Sequence, residues 1–270
     1  MKKLLLFLCL IPVVSFSGNE NYAIGGRATG MGNTGLCLAD VWAIRYNQAA
    51  LADVSSISTG ISYESRFLLK AMGIQSFAMA IPTKKSGTFG LNYTGFGDNL
   101  FRESKIGLGY GMKISDKFNI GIRLNYHSLQ LGNNYGRANN LTFELGLLAK
   151  PTKNLQIGFH LFNPSQTKLN EYQQEIIPVI MNLGISYQFS DKLRTNLELE
   201  KDIEFPFSVK AGIEYLPTEH FYLRAGISTN PGVPSIGFGV VKKQFNLDFS
   251  ASLHPALGIT PSLGMTYSFK

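Results

Sequence analysis

KFNIGIRLNYH, residues 117–127, sorts its side chains by parity. Phe118, Ile120, Ile122, Leu124 and Tyr126 fall on one face of an extended chain, and Asn119, Gly121, Arg123, Asn125 and His127 on the other. A period of two is the spacing of a β-strand whose faces meet different environments. Leu155, Ile157, Phe159 and Leu161 oppose Gln156, Gly158 and His160 in the same way, and Met181, Leu183, Ile185, Tyr187 and Phe189 oppose Asn182, Gly184, Ser186 and Gln188. Fourteen such runs follow Ile57, near 57–65, 73–81, 87–95, 104–114, 117–128, 140–150, 154–162, 179–189, 192–200, 206–216, 220–229, 235–242, 244–253 and 260–269. No sustained helical period interrupts them.

Two architectures alternate like this, a soluble β-sandwich and a membrane barrel. The polar face carries bulky charges in mid-strand, including Arg123, Glu144, Arg194, Glu198, Lys210, Glu214, Arg224 and Asp248, while the apolar face of the later strands is nearly free of charge. A sandwich in water has its polar side outward and its core oily, and strands of about ten residues suit a hydrocarbon band better. The connections also alternate. Those at Lys84, Ser115, Pro151, Ser190, Pro217 and Lys242 are short, whereas GNNYGRANN (132–140) and NPSQTKLNEYQQEIIP (163–178) are the longest of the other set. Short turns on one side and longer loops on the other are the pattern of an outer-membrane barrel. An open edge in lipid would leave backbone groups unpaired, so the sheet must close. The expected fold is an all-β, antiparallel transmembrane barrel of about 14 strands over 56–270. Its last strand, GITPSLGMTYSFK, ends on the penultimate aromatic Phe269.

The chain opens MKKLLLFLCLIPVVSFSG, with two lysines, an apolar run from Leu4 to Val14 and small residues at Ser15 and Ser17. That is the layout of a cleaved export signal over 1–17. A membrane anchor needs roughly 20 apolar residues, more than this run holds. Cleavage after Ser17 leaves Cys37 as the only cysteine, so no intramolecular disulfide is expected. The formal charge is +7, but only 16% of residues are charged and no basic block appears, so no nucleic-acid partner is expected.

Gly30 to Gly35 reads GMGNTG and fits G-x-G-x-x-G. A dinucleotide turn needs a buried strand before it, a helix after it and further βαβ units, none of which the pattern supplies. A barrel of fourteen strands is wider than its own side chains can fill. The glycines fit better if residues 18–55 fold back as a hatch inside the lumen, where Gly30, Gly32 and Gly35 allow close backbone approach to a wall that itself carries inward glycines such as Gly121, Gly226 and Gly237.

RATGMGNTGLCLADVWAIRYNQAALA resembles the N-terminal hatch signature of the long-chain fatty-acid channel (FadL) superfamily, and is particularly similar to its PorV/PorQ branch, associated with type IX secretion. The likeness covers Gly26 to Ala52 and falls on Gly30, Met31, Gly32, Gly35, Asp40, Tyr46, Asn47, Ala49 and Leu51. Gln48 stands where the family usually has proline, which relaxes a fixed φ in the hatch. The resemblance implies two different jobs. One is passage of small hydrophobic molecules through the lumen as the hatch shifts. The other is a plugged accessory that binds other outer-membrane or periplasmic export proteins.

Unpaired charges beside an apolar ligand would each cost several kcal/mol. The mixed lumen set of Arg123, His127, Glu144, His160, Arg194, Glu198, Lys210, Glu214, Arg224 and Asp248 therefore reads as a paired polar network. It favours the partner-binding role, with hydrophobic uptake as the alternative. Only Phe96, Leu100, Phe101, Ile176 and Ile177 offer apolar material to gather a lipid outside. His127, Glu144 and His160 all point inward and could in principle bind zinc or exchange protons, but their spacing is no known motif, and a hydrogen-bonded lumen network is the plainer account. No catalytic role, metal or cofactor is expected, and the location expected is the Gram-negative outer membrane, in contact with its lipid.

Overall fold

A computed structural model describes residues 22–83, 87–132, 136–168 and 177–269. The proposed signal 1–17, the turn around Lys84, Ile176 and most of the long loop after residue 168 lie outside them. Fourteen antiparallel strands form one closed barrel in sequence order, with β1 paired to β14. They are β1 Ser58–Ser65, β2 Gly73–Thr83, β3 Gly87–Gly97, β4 Phe101–Ser115 and β5 Phe118–Leu131. Next come β6 Gly136–Ala149, β7 Leu155–Phe162, β8 Ile180–Ser190, β9 Leu193–Asp202 and β10 Ser208–Thr218. β11 Phe221–Ser228, β12 Val233–Lys242, β13 Phe245–His254 and β14 Gly258–Ser268 complete the ring. At the seam Ile61 lies opposite Met265 and Tyr63 opposite Leu263, and the Phe269 amide donates to the Ile57 carbonyl at 2.8 Å. No edge is left to pair with a second chain or to stand open in hydrocarbon.

Parity decides what faces where. Leu108, Ile122, Leu183 and Ile236 are 60%, 57%, 51% and 67% exposed, while Asn119, Arg123, Asn125 and Glu144 are fully buried. This is the inverse of a soluble core, as a hydrocarbon solvent outside requires. Aromatic rings gather at the short-turn end, with Phe245 4.6 Å from Tyr267, Tyr187 4.7 Å from Phe189 and Phe89 4.9 Å from Tyr110. Such rings fit the interface between hydrocarbon and water.

One expected loop is largely strand. β5 and β6 continue pairing to Gln130 with Arg137 and Leu131 with Gly136, so residues 136–140 of GNNYGRANN belong to β6. The residues at 136–140 are too polar to show an apolar stripe, because a hairpin that rises beyond the lipid has no hydrocarbon to sort its faces. By contrast β7 is brief, and the Asn163 amide turns to the Phe143 carbonyl at 3.0 Å beyond its end.

Residues 22–57 do not join the sheet. They hold two single-turn helices, α1 Gly26–Thr29 and α2 Ala43–Tyr46, and a 3-10 turn at Gln48–Asp53. The segment lies against the inward faces of the strands. A Cβ on Gly226 of β11 would stand 2.1 Å from the Gly32 nitrogen, and one on Gly121 of β5 would stand 2.3 Å from the Gln48 carbonyl carbon. Backbone thus meets backbone at distances that no side chain permits.

Candidate functional site

Glu144 is the centre of a buried polar cluster. Its carboxylate is fully buried, as is the facing Arg123, whose Nη1 donates to Oε1 at 3.2 Å. Lys105 Nζ lies 3.3 Å from the same oxygen, and Asn125 Nδ2 donates to it at 2.8 Å. On the other oxygen, His160 Nε2 stands at 2.9 Å and Gln48 Nε2 donates at 2.7 Å. Strands β4, β5, β6 and β7 therefore converge with the N-terminal segment on one anion. The alternation places each of these groups inward, and the barrel closure sets their heights. Arg123 also donates to Asn92 Oδ1 on β3.

A second cluster lies across the lumen. Arg224 donates to Glu214 Oε2 at 2.7 Å and to Asp248 Oδ1 at 2.6 Å. Arg27, from α1, completes it with bonds to Glu214 at 2.7 and 2.9 Å and to Asp40 at 3.1 Å. These carboxylates hold the Arg27 guanidinium firmly charged, raising its pKa despite the opposing cost of burial.

The polar residues expected as one network thus form separate groups. Lys210 pairs with Glu200 at 2.7 Å, Arg194 Nε donates to Gln188 at 2.7 Å, and Glu198 accepts from the Leu36 amide at 2.7 Å. His127 bonds to Thr142 at 2.8 Å and is not on Glu144. Among the described residues no group of three His, Cys, Asp or Glu side chains is placed to hold a metal ion.

Each residue of the N-terminal motif has a definable contact. A Cβ on Gly30 would meet the Gly237 Cα at 3.1 Å, and one on Gly35 would enter the Tyr46 ring. Gly32 takes a left-handed φ of +68°, and its amide donates to Ser235 at 2.8 Å. Met31, Ala49 and Leu51 are fully buried. Asp40 accepts from the Trp42 amide at 2.9 Å. Asn47 donates to the Leu36 and Leu147 carbonyls, both at 3.0 Å, and accepts from the Ala49 amide at 3.1 Å, tying segment to wall. Gln48, in the family's proline position, supplies a side-chain bond to Glu144 that proline lacks.

Sequence reading missed Arg27, Gln48 and Arg45 as polar partners. Arg27 could have been found as the one cation of an otherwise uncharged glycine-rich stretch facing a wall rich in carboxylates. Cys37 is buried, and desolvation, reinforced by the Glu198 carboxylate, pushes its thiol up to about 12. The folded protein is expected to resist maleimide at pH 7.5 and to react fully in denaturant, read by mass spectrometry. Quantitative labelling of the native protein would contradict the buried placement.

The loop end of the barrel opens into a cavity of about 650 Å³. Phe67, Phe205, Pro231, Val233 and Leu257 line it together with the polar Arg66, Asp202, Asn230 and His254 of the same loops, and Tyr22, Thr29, Asn33, Leu36, Arg45 and Tyr46 of the N-terminal segment border it from within. Ile177, expected to gather lipid outside, instead packs fully buried with Phe162 and Ile180 against Leu129. Phe96 turns inward onto Tyr22 at a centroid distance of 4.9 Å.

No protein-family model matches the chain, and no curated protein matches it. Solved structures do. The toluene transporter TodX of Pseudomonas putida aligns with a TM-score of 0.70 at 12% identity, covering 93% of this chain and 99% of that one. CymD, a monoaromatic hydrocarbon channel, gives 0.69 at 14% identity over 92% and 98%. A FadL homologue of Pseudomonas aeruginosa gives 0.64 at 13% over 91% and 98%. These neighbours are channels and transporters, and at such identities the likeness is one of fold. The chain is a closed fourteen-strand antiparallel barrel whose fold is similar to that of these solved structures.

Proposed function

We propose that the protein is an outer-membrane channel of FadL type for small, largely apolar organic molecules, with residues 18–55 as its hatch and residues 1–17 as the export signal removed before insertion. The observation that carries this reading is the vestibule, which is open at the loop end, lined by apolar side chains such as Phe67, Phe205, Val233 and Leu257 interspersed with Arg66, Asp202 and His254, and bordered by the N-terminal segment. A ligand entering there meets the segment before it can go further, so movement of that segment controls passage. The toluene and monoaromatic-hydrocarbon names of the neighbours supply the first substrate class to try. Expressed in a Gram-negative host with little hydrocarbon uptake of its own, the protein should raise radiolabelled toluene accumulation severalfold over empty vector. Equal rates, with the folded barrel present in the outer membrane, would remove the channel reading.

One observation favours a second reading. The buried clusters at Glu144 and Glu214 place paired charge inside the barrel, which suits a permanently plugged barrel that binds export partners in the manner of the PorV/PorQ branch. A stable complex with such proteins after mild-detergent purification would support it.

A further inference from the structure

The outward wall of β3 to β6 changes character at one level near the loop end. Tyr93, Ile106, Tyr126 and Leu141 stand opposite one another in register across these strands, and all are exposed. They are the last apolar row on that face, and the two tyrosines mark the edge of the hydrocarbon, where amphipathic rings sit. The next outward row is Gly95, Ser104, Ser128 and Asn139, and the one after it is Gly97, Arg102, Gln130 and Arg137. Within two steps of the alternation the wall passes from apolar to hydrogen-bonding to cationic.

Arg102 and Arg137 flank Gln130 on adjacent strands, which sets their Cα atoms about 10 Å apart at the usual strand spacing. Both are exposed, and neither pairs with a carboxylate among the described residues. Glu103 is buried on the lumen side, where it accepts from the Tyr22 hydroxyl at 3.3 Å. Asp98 is turned to the Leu100 and Phe101 amides at 2.8 and 3.2 Å. Arg137 Nε donates to Ser128 Oγ and Asn139 Oδ1, both at 3.1 Å, which fixes the side chain against the wall and leaves its terminal nitrogens for a partner from outside the chain. Lys201 of β9, another outward cation near this end, differs. Its Nζ donates to the Ile203 and Phe205 carbonyls and lies over the Phe207 ring.

β3 keeps the space beside Arg102 open. Gly95 and Gly97 leave the wall bare next to Ser104 and Arg102, and the Tyr93 hydroxyl leans into the gap, 2.8 Å from where a Gly95 Cβ would stand. An arginine fork matches a phosphate bidentately, and cations just outside the hydrocarbon attract anionic lipid headgroups. The hydroxyl and amide groups of Ser104, Gln130 and Asn139 suit sugar hydroxyls. Two forks separated by hydrogen-bonding groups span more than one glycerol phosphate, and fit phosphates carried on joined sugars.

We propose that this wall binds the phosphorylated saccharide headgroup of an outer-leaflet glycolipid, with Arg102 and Arg137 holding its phosphates and its acyl chains lying along Ile106, Tyr126 and the apolar face below. The site rests on the loop end facing out of the cell and is independent of what passes through the lumen.

The test is native mass spectrometry of the purified full-length protein in detergent, titrated with bisphosphorylated lipid A, with the same lipid after phosphatase treatment, and with phosphatidylglycerol. Bisphosphorylated lipid A should bind at least about tenfold more tightly than either of the others. Arg102→Gln with Arg137→Gln should weaken it by about tenfold or more, the scale of lost charge-assisted bonds, while Lys201→Gln leaves it unchanged. Arg102→Lys with Arg137→Lys, which keeps the charges but not the forks, should bind at an intermediate level and stands in should the glutamine variant fail to fold. Equal lipid A affinity in wild type and the double glutamine variant overturns the site, as does equal binding of phosphatidylglycerol or of the dephosphorylated lipid. An equal loss on Lys201→Gln would reduce it to general surface charge and also overturns it. Failure of toluene uptake in cells together with intact arginine-dependent lipid A binding would instead overturn the channel and leave the glycolipid site standing.

Discussion

Glu144→Ala should lower the thermal unfolding midpoint of the detergent-solubilised barrel by roughly 6–20 °C, read as the temperature at which its heat-modifiable band shifts. The estimate follows from what the substitution strands. Arg123 and Lys105 lose their shared carboxylate, while Asn125, His160 and Gln48 lose an acceptor, all in positions closed to solvent. Breaking a buried ion pair from one side costs about 3–5 kcal/mol, and each kcal/mol shifts the midpoint of a domain this size by about 2–4 °C. Replacing the pair together, Arg123→Met with Glu144→Leu, should be milder than the two single effects summed, because Arg123 and Glu144 no longer strand each other, and Lys105 alone is left without its carboxylate. A shift of under about 2 °C for Glu144→Ala would mean that water reaches the cluster and that the lumen is wetter than the packing implies.

Gly226→Val acts on the opposite wall and should loosen the N-terminal segment without breaking the barrel. The new Cβ would overlap the Gly32 nitrogen at 2.1 Å and the Met31 carbonyl carbon at 2.2 Å, both backbone atoms that cannot rotate away. Either the β11 strand or the segment must move, and around Gly226 β11 is held by ladders to both β10 and β12. The segment gives way. Cys37 then becomes the reporter: maleimide labelling of the native protein should rise at least about tenfold over wild type, accompanied by ion conductance in planar bilayers. A wild-type labelling rate in a folded Gly226→Val barrel would show that the segment does not bear on this wall.

Much of the ring could be drawn from parity. From Phe118 to His127, and again from Met181 to Phe189, one residue in two is apolar without a break, since lipid penalises any polar intruder on that face. Strand number, order and the inward direction of Arg123, Glu144, Glu214 and Asp248 followed from this constraint. It failed at 136–140, where β6 rises above the membrane and both faces see water. It also failed for Ile177, whose apolar side chain suggested an outer collecting surface and which instead closes an inner wall with Phe162 and Ile180.

Side-chain parity is a local property, set residue by residue by the solvent on each face, and so it could be read along the chain. Partnership across the lumen is not local. That Glu144 collects Arg123, Lys105, His160 and Gln48, and that Arg27 completes Glu214, depend on the stagger of fourteen strands and the path of the N-terminal segment between them. Pairs such as Arg27 and Glu214, 187 residues apart, acquire their distances only when the ring closes.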